Sequence, residues 1–195
     1  MENHNHRDFA KSLMSDKRKK WHDPEMVLKN ANVKEGMILA DLGSGPGFFT
    51  IPMAKLTGEK GIVYAVDNNE SMLNSLKENI AKSGVDQRIV KIEKSDASQT
   101  EIPKESVDIV LIANFLNGVE DRKAFFQEVR RISKTTASII DVDWKKIQTE
   151  SGPPLNKRLS EEEAKQVLSD NGFIITKQVD LGQTHYELIC KPAVH

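Results

Sequence analysis

Short, nearly continuous apolar runs alternate with stretches of helical period along this chain. The runs Met37–Leu42, Ile62–Val66, Ile89–Glu93, Val107–Ala113 and Ala137–Asp143 are bounded by polar or glycine punctuation, which predicts strands. Their Val, Ile and Leu content predicts burial on both faces. Between them, Met72, Leu73, Leu76 and Ile80 recur at helical spacing, as do Phe125, Phe126, Val129 and Ile132, and both stripes read as core. Ser160 and Glu163 make a capping box ahead of Ala164, Val167 and Leu168, and Gly172 ends that helix. Two more strand-like runs, Phe173–Val179 and Tyr186–Lys191, are separated by Leu181-Gly182-Gln183-Thr184 and predict an antiparallel hairpin. The alternation as a whole predicts a doubly wound α/β fold, with helices on both faces of a parallel sheet.

The first run leads into Asp41-Leu42-Gly43-Ser44-Gly45-Pro46-Gly47-Phe48-Phe49-Thr50, a glycine-dense bend followed by the start of a helical pattern. Glycines let main-chain N–H groups approach a ligand, and the helix N-terminus behind them favours negative charge. A small molecule bearing a carboxylate or phosphate belongs there, unless a side chain such as Phe48 turns into the bend and closes it. Asp67 lies twenty residues after Gly47, where a carboxylate at a strand tip accepts hydrogen bonds from ribose hydroxyls. The expected ligand is a nucleoside derivative. A dinucleotide fingerprint, G-x-G-x-x-G, needs its third glycine at the position Phe48 holds, so a pyrophosphate ligand fits less well.

The spacing Asp41-x-Gly43-x-Gly45-x-Gly47 resembles the class I S-adenosylmethionine-dependent methyltransferases of small-molecule type, and is similar to the methyltransferase domain of ubiquinone and menaquinone biosynthesis. Val66-Asp67-Asn68-Asn69-Glu70-Ser71-Met72-Leu73 resembles the family's second motif. Ser95-Asp96-Ala97 resembles the third, and Ile102-Pro103 leading to Val107-Asp108-Ile109-Val110 the fourth, so the likeness covers most of positions 37 to 192. It implies a Rossmann-like seven-stranded sheet of order 3-2-1-4-5-7-6, the last strand antiparallel, with S-adenosylmethionine as cofactor. It implies donor contacts along Asp41, Gly43, Ser44, Gly45, Gly47, Asp67, Asn68, Met72, Asp96, Ala97, Ala113 and Asn114.

Within that set, Asp41 holds the methionine amino group or orients the loop, a plain hydrogen-bonded aspartate being an equal reading. Asp96 with the following backbone N–H meets the adenine edge, or is only a turn aspartate. Donor and acceptor meet at Ala113-Asn114-Phe115, the carboxyl edge of the fourth strand. Asn114-Phe115-Leu116-Asn117 departs from the Asn/Asp-Pro-Pro-aromatic tetrad of enzymes that methylate base amines. Asn117-Gly118 stands where many small-molecule relatives place a histidine.

At 195 residues the chain is expected to form one domain, with residues 1–35 a helical extension, 36–195 the Rossmann-like core and 145–159 a lid loop. A formal net charge of −1, with both signs spread through the sequence, offers no field to gather a polyanion and argues against nucleic acid. No apolar run approaches the roughly 18 residues of a membrane span, and the polar N-terminus lacks a secretory core. A cytoplasmic protein acting on a small-molecule acceptor, without membrane attachment, is expected. Cys190 is the sole cysteine, which excludes an internal disulfide, a multi-cysteine zinc site and arsenite methylation through several cysteines; no metal is expected.

Transfer from a sulfonium needs alignment and desolvation more than a strong acid, and a base only when the acceptor loses a proton. The candidates are His185, Tyr186 and Asp143, with His22 and Asp141 behind them; no signature surrounds any of them, and each reads better as structural. His4, His6 and His195 lie near the termini and are given no role. Lys17-Arg18-Lys19-Lys20-Trp21, in the polar, helix-prone stretch 8–30, folds over the donor with Trp21 or Arg18 against it, or is only a solvated face. Three alternatives stay open: a nicotinamide-dependent oxidoreductase, a non-catalytic S-adenosylmethionine-binding protein, and an RNA-directed methyltransferase.

Overall fold

The apolar runs assemble into one seven-stranded sheet, and the computed structural model describes residues 9–193. His4, His6, His195 and the side chain of Lys17 lie outside the described residues. The strands are β1 (Ile38–Leu42), β2 (Ile62–Asp67), β3 (Val90–Lys94), β4 (Val107–Ala113), β5 (Ser133–Trp144), β6 (Phe173–Leu181) and β7 (His185–Pro192). Their order is β3-β2-β1-β4-β5-β7-β6. The first five run parallel, and β7 pairs antiparallel with both β5 and β6. The chain has the expected Rossmann-like methyltransferase topology.

The helices are α1 (Asp16–Trp21), α2 (Pro24–Asn30), α3 (Thr50–Thr57), α4 (Glu70–Ser83), α5 (Arg122–Ile132) and α6 (Glu161–Asp170). Side chains of α2, α3 and α4 cover one sheet face, where Val27, Leu28, Met53 and Leu76 pack with Leu39, Val63, Leu111 and Val142. On the other face Phe125, Val129 and Leu168 of α5 and α6 meet Leu42, Val110, Ile112 and Leu188. Each such side chain contributes roughly 1.5 to 3 kcal/mol when fully buried, so the two-sided core is what holds the site's scaffold rigid. The predicted stripes of α4 and α5 are buried. The capping box of α6 forms with both of its hydrogen bonds.

Strand β5 starts four residues before the expected Ala137, at Ser133, directly after α5. Its first residues, Ser133-Lys134-Thr135-Thr136, carry no apolar signal. They are held by partners from outside the segment: Ser133 pairs with Val107, and Lys134 Nζ lies 2.6 Å from Asp108 Oδ1. No helix among the described residues is long and apolar enough to cross a membrane.

Candidate active site

The glycine bend joins β1 to α3 at the carboxyl edge, where β2 lies on one side of β1 and β4 on the other, the reversal point at which open α/β sheets bind ligands. Gly43 and Ser44 both donate their N–H groups to Val66 O, at 2.8 and 2.9 Å, which pins the bend to the end of β2. Gly43 has φ 81°, and a Cβ there would overlap the Phe115 ring, so glycine is required for both reasons. Gly45 then donates its N–H to Asp67 Oδ2 at 2.8 Å, and Asn69 N–H reaches Asp67 Oδ1 at 2.8 Å. A carboxylate offers about four acceptor positions, so Asp67 shapes the loop and keeps capacity for hydroxyl donors. Gly47 N–H closes the turn on Ser44 O at 3.1 Å. Phe48 does not enter it; its ring packs against His22 and Phe49 beneath the N-terminal helices.

Asp41, at 2% exposure, accepts a hydrogen bond from Thr50 Oγ1 at 2.6 Å. Burial pushes its carboxyl up to about 6, against the opposing pull of Thr50 and of the Arg18 charge. Asn68 is exposed beside Asp67, and Met72 is buried in the first turn of α4, whose Asn69 cap accepts from Ser71 and Met72 N–H. Asp96 stands past the end of β3, exposed, with Oδ1 taking the Ser98 N–H and hydroxyl; those bonds hold its carboxyl below the usual range. Ser95 N–H reaches Asp67 O at 3.2 Å, so this segment is tied to the tip of β2. The Ala97 N–H, expected at an adenine nitrogen, instead donates to Ser95 Oγ at 3.1 Å, in a backbone of φ 65°. Asn114 follows Ala113 with φ 54°, and its N–H meets Val142 O at 2.7 Å. The expected donor residues therefore line the carboxyl ends of four adjacent strands.

The base candidates divide between the two faces of the sheet. Register places Tyr186 opposite Asp143, and Tyr186 belongs with the face that α5 and α6 cover. His185 lies opposite Trp144, and its ring stacks near His22 and Trp21 on the face of the N-terminal helices. Burial lowers His22 to about 2 and His185 to about 3, so both imidazoles are neutral at physiological pH. Burial raises Tyr186 and, with the neighbouring Asp143 charge, Asp141. Asp143 is pushed up to about 6 by burial; its Oδ1 accepts the Trp144 N–H at 2.8 Å, and its Oδ2 has no hydrogen-bond partner among the described residues.

The N-terminal helices pack against β5 and β7 beside this edge. Trp21 meets Trp144 edge-on at 5.0 Å, His22 lies 4.2 Å from His185, and Asn30 Nδ2 donates to Glu187 Oε2 at 2.7 Å. A cavity of about 790 Å³ opens beside them, lined in part by Trp21, Trp144, Ile147, Leu181, Gln183 and Thr184. Its wall includes part of the 145–159 segment, which Arg158 draws into a knot. Arg158, 5% exposed, lies 4.9 Å over the Trp144 ring. It donates to Pro153 O, Lys145 O, Ile147 O, Thr149 Oγ1 and Ser151 O at 2.7 to 3.2 Å. Sequence reasoning missed Arg158, because its partners are almost all backbone carbonyls that leave no residue pattern; the one visible hint was Gly152, whose φ of 96° lets the chain pass the Trp144 ring.

The edge fits S-adenosylmethionine on two observations. An added Cβ at Gly45 would meet nothing within 4 Å, so space lies open over the turn. Among the described residues Ser44 Oγ and Asn114 Oδ1 are buried without partners, as expected of groups that await a ligand's polar atoms. The family model described as a methyltransferase domain matches residues 33–194. A solved S-adenosylmethionine-dependent methyltransferase from Aquifex aeolicus is 32% identical, with a TM-score of 0.89 over 95% of this chain and 98% of that one. The ubiquinone/menaquinone biosynthesis C-methyltransferase UbiE of Shewanella sp. (strain ANA-3) is 29% identical over 154 residues, 79% of this chain. That match spans only 59% of the relative's length. By its family match, its topology and the likeness to the Aquifex structure, this chain belongs to the class I S-adenosylmethionine-dependent methyltransferases.

Proposed function

We propose that the protein transfers a methyl group from S-adenosylmethionine to a small-molecule acceptor by in-line displacement. The observation that carries this reading is the 2.8 Å hydrogen bond from Gly45 N–H to Asp67, which sets an open glycine turn beside a ribose-accepting carboxylate. Bound there, S-adenosylmethionine supplies a methyl on a sulfonium that departs as a neutral thioether. The chain contributes alignment and exclusion of water. Holding nucleophile and methyl carbon as a near-attack pair is worth roughly 7 to 11 kcal/mol. Asp67 fixes the sugar, and the β1 turn fixes the amino-acid end.

The cavity of about 790 Å³ supports a small-molecule acceptor. Its Trp144 wall stands two strands from β1, roughly 10 Å by ordinary strand spacing, close enough for an acceptor to reach across Asn114. The C-methyltransferase activity named for the Shewanella relative makes carbon the first acceptor atom to test. A single domain with the N-terminal helices as part of its site, a cytoplasmic setting and no nucleic-acid partner belong to the same reading, supported by the lone cysteine and the net charge of −1.

Calorimetry with S-adenosylmethionine, S-adenosylhomocysteine and NAD(H) in parallel tests the reading. Binding of the two sulfur compounds with no heat from NAD(H) is the expected result. Binding of NAD(H) alone turns the assignment to an oxidoreductase.

A further inference from the structure

Two buried imidazoles meet where α1 ends against β7. His22 and His185 have ring centroids 4.2 Å apart; Phe48 and Phe49 pack on the first ring, Trp21 and Trp144 on the second. Among the described residues, both ring nitrogens of His22 and Nε2 of His185 have no hydrogen-bond partner, while Nδ1 of His185 lies 2.8 Å from Thr184 Oγ1. The charged groups acting on the pair are cations: Arg18 from α1, and Lys145 and Arg158 from the segment after β5. Glu187, two residues along β7 on the same face, is held instead by Asn30 Nδ2 of α2 at 2.7 Å. An imidazolium formed here would stand among cations and apolar rings, a costly place for a charge. Burial first, then neighbouring positive charge, accordingly holds both rings far below the ordinary imidazole value. α1 is the weakly held side of this contact. Among the described side chains of residues 9–22 only Ala10 and His22 are buried, whereas α2 is anchored by Pro24, Val27 and Leu28. His22 and Asp23 are extended between the two helices, which gives α1 a joint of its own. Local opening of such a segment costs far less than unfolding of the core.

We propose that His22 and His185 form a proton-released latch: while neutral they hold α1 against β7, and protonation in the opened state keeps α1 off. Trp21 leaves with α1, so the cavity of about 790 Å³ loses part of its wall while the seven-stranded core stays folded. The latch stands on the fold alone; its effect on a methyl acceptor rests on the methyltransferase reading. The opened state takes up protons at the ordinary value of 6.5 and the latched state only far below it. Latching is therefore fully present above that value and weakens as pH falls. Glu187 stays under Asn30 of α2 in both states and drops out of the balance. Below the ordinary value each histidine favours opening by roughly 10-fold per pH unit, and the pair together by roughly 100-fold.

The test is tryptophan emission and acrylamide quenching from about pH 7.5 to about pH 4.5, with far-ultraviolet dichroism on the same samples. Trp21 and Trp144 both pack on His185, so the protein's own emission reports the latch. On acidification the wild-type chain should show red-shifted, more quenchable emission, reversibly and ahead of any loss of dichroism. His22→Phe keeps a ring between Phe48 and Phe49 that takes no proton, and it should lower the midpoint and halve the steepness of the change. Emission that stays constant until the dichroism falls overturns the inference, and so does a His22→Phe variant with the wild-type midpoint and steepness. Should that variant fail to fold, the imidazole proton resonances of the wild-type chain decide. His22 and His185 should titrate together with tryptophan exposure, and titration near the ordinary value with the tryptophans still covered overturns the latch. No readout uses S-adenosylmethionine, so failure of the methyltransferase reading in calorimetry is a separate result.

Discussion

Gly45 and Asp67 are joined by a 2.8 Å hydrogen bond from the turn's N–H to the strand-tip carboxylate, so the loop is tied to the tip of β2. The same carboxylate takes the Asn69 N–H, next to the cap that starts α4. Asp67 therefore braces the bend, and in the proposed reading it also holds the ribose.

Asp67→Ala should weaken S-adenosylhomocysteine binding by roughly 1.5 to 3 kcal/mol, the range for hydrogen bonds to a charged group. The two-sided core should keep the fold, with an unchanged far-ultraviolet dichroism spectrum. Unchanged affinity by calorimetry removes Asp67 from the site.

Arg158→Ala should unfasten the 145–159 segment, because it removes the bonds that tie the Pro153, Ile147 and Ser151 carbonyls to one guanidinium. A loss of about 2 to 3 kcal/mol in stability is expected, along with new protease cleavage in that segment. A variant as stable and as resistant as the wild-type chain would show that the knot does not hold the cavity wall in place.

Stability should decline from about pH 5 to about pH 8, because folding holds protons on buried carboxyls that the unfolded chain has already released. Asp41 and Asp143 are raised to about 6 and Glu187 to about 7, all led by burial. Their contribution is fully present below the unfolded carboxyl range and lost as pH climbs through those values, the reverse of a salt-bridged acid. His22 and His185 have lowered values, so they cost stability as pH falls below the ordinary imidazole value of 6.5 and offset only part of that trend. Melting temperatures across this range check the sign, and a steady rise toward pH 8 refutes it. Asp141→Asn should raise the melting temperature at pH 8, since an amide carries no charge for burial to oppose.

Trp21 and Trp144 are the only two tryptophans, and they touch at the cavity wall. In Trp144→Phe the remaining emission reports α1 alone. In the proposed reading, binding of donor and acceptor should then shift or quench it, because Trp21 lines the cavity beside the donor edge. Emission indifferent to both would mean that α1 takes no part in binding.

Much of the site was legible because it is local. Asp41 to Thr50 specify a strand, a glycine bend and a helix start within one stretch of chain, and Asp67 follows at the distance one crossover requires. The two-faced burial of β1 and β4, the stripes of α4 and α5 and the capping box of α6 are written in residue period for the same reason: neighbours in sequence share one face. The start of β5 at Ser133 was not legible, because Val107 and Asp108 on another strand hold it there. Only the β5–β7 register separated Tyr186 and Asp143 from His185 and Trp144. Arg18 over the Phe48 ring, and Arg158 within its ring of carbonyls, depend on tertiary contacts. Such contacts are set when helices dock and loops close, so they impose no period or spacing that the chain alone could display.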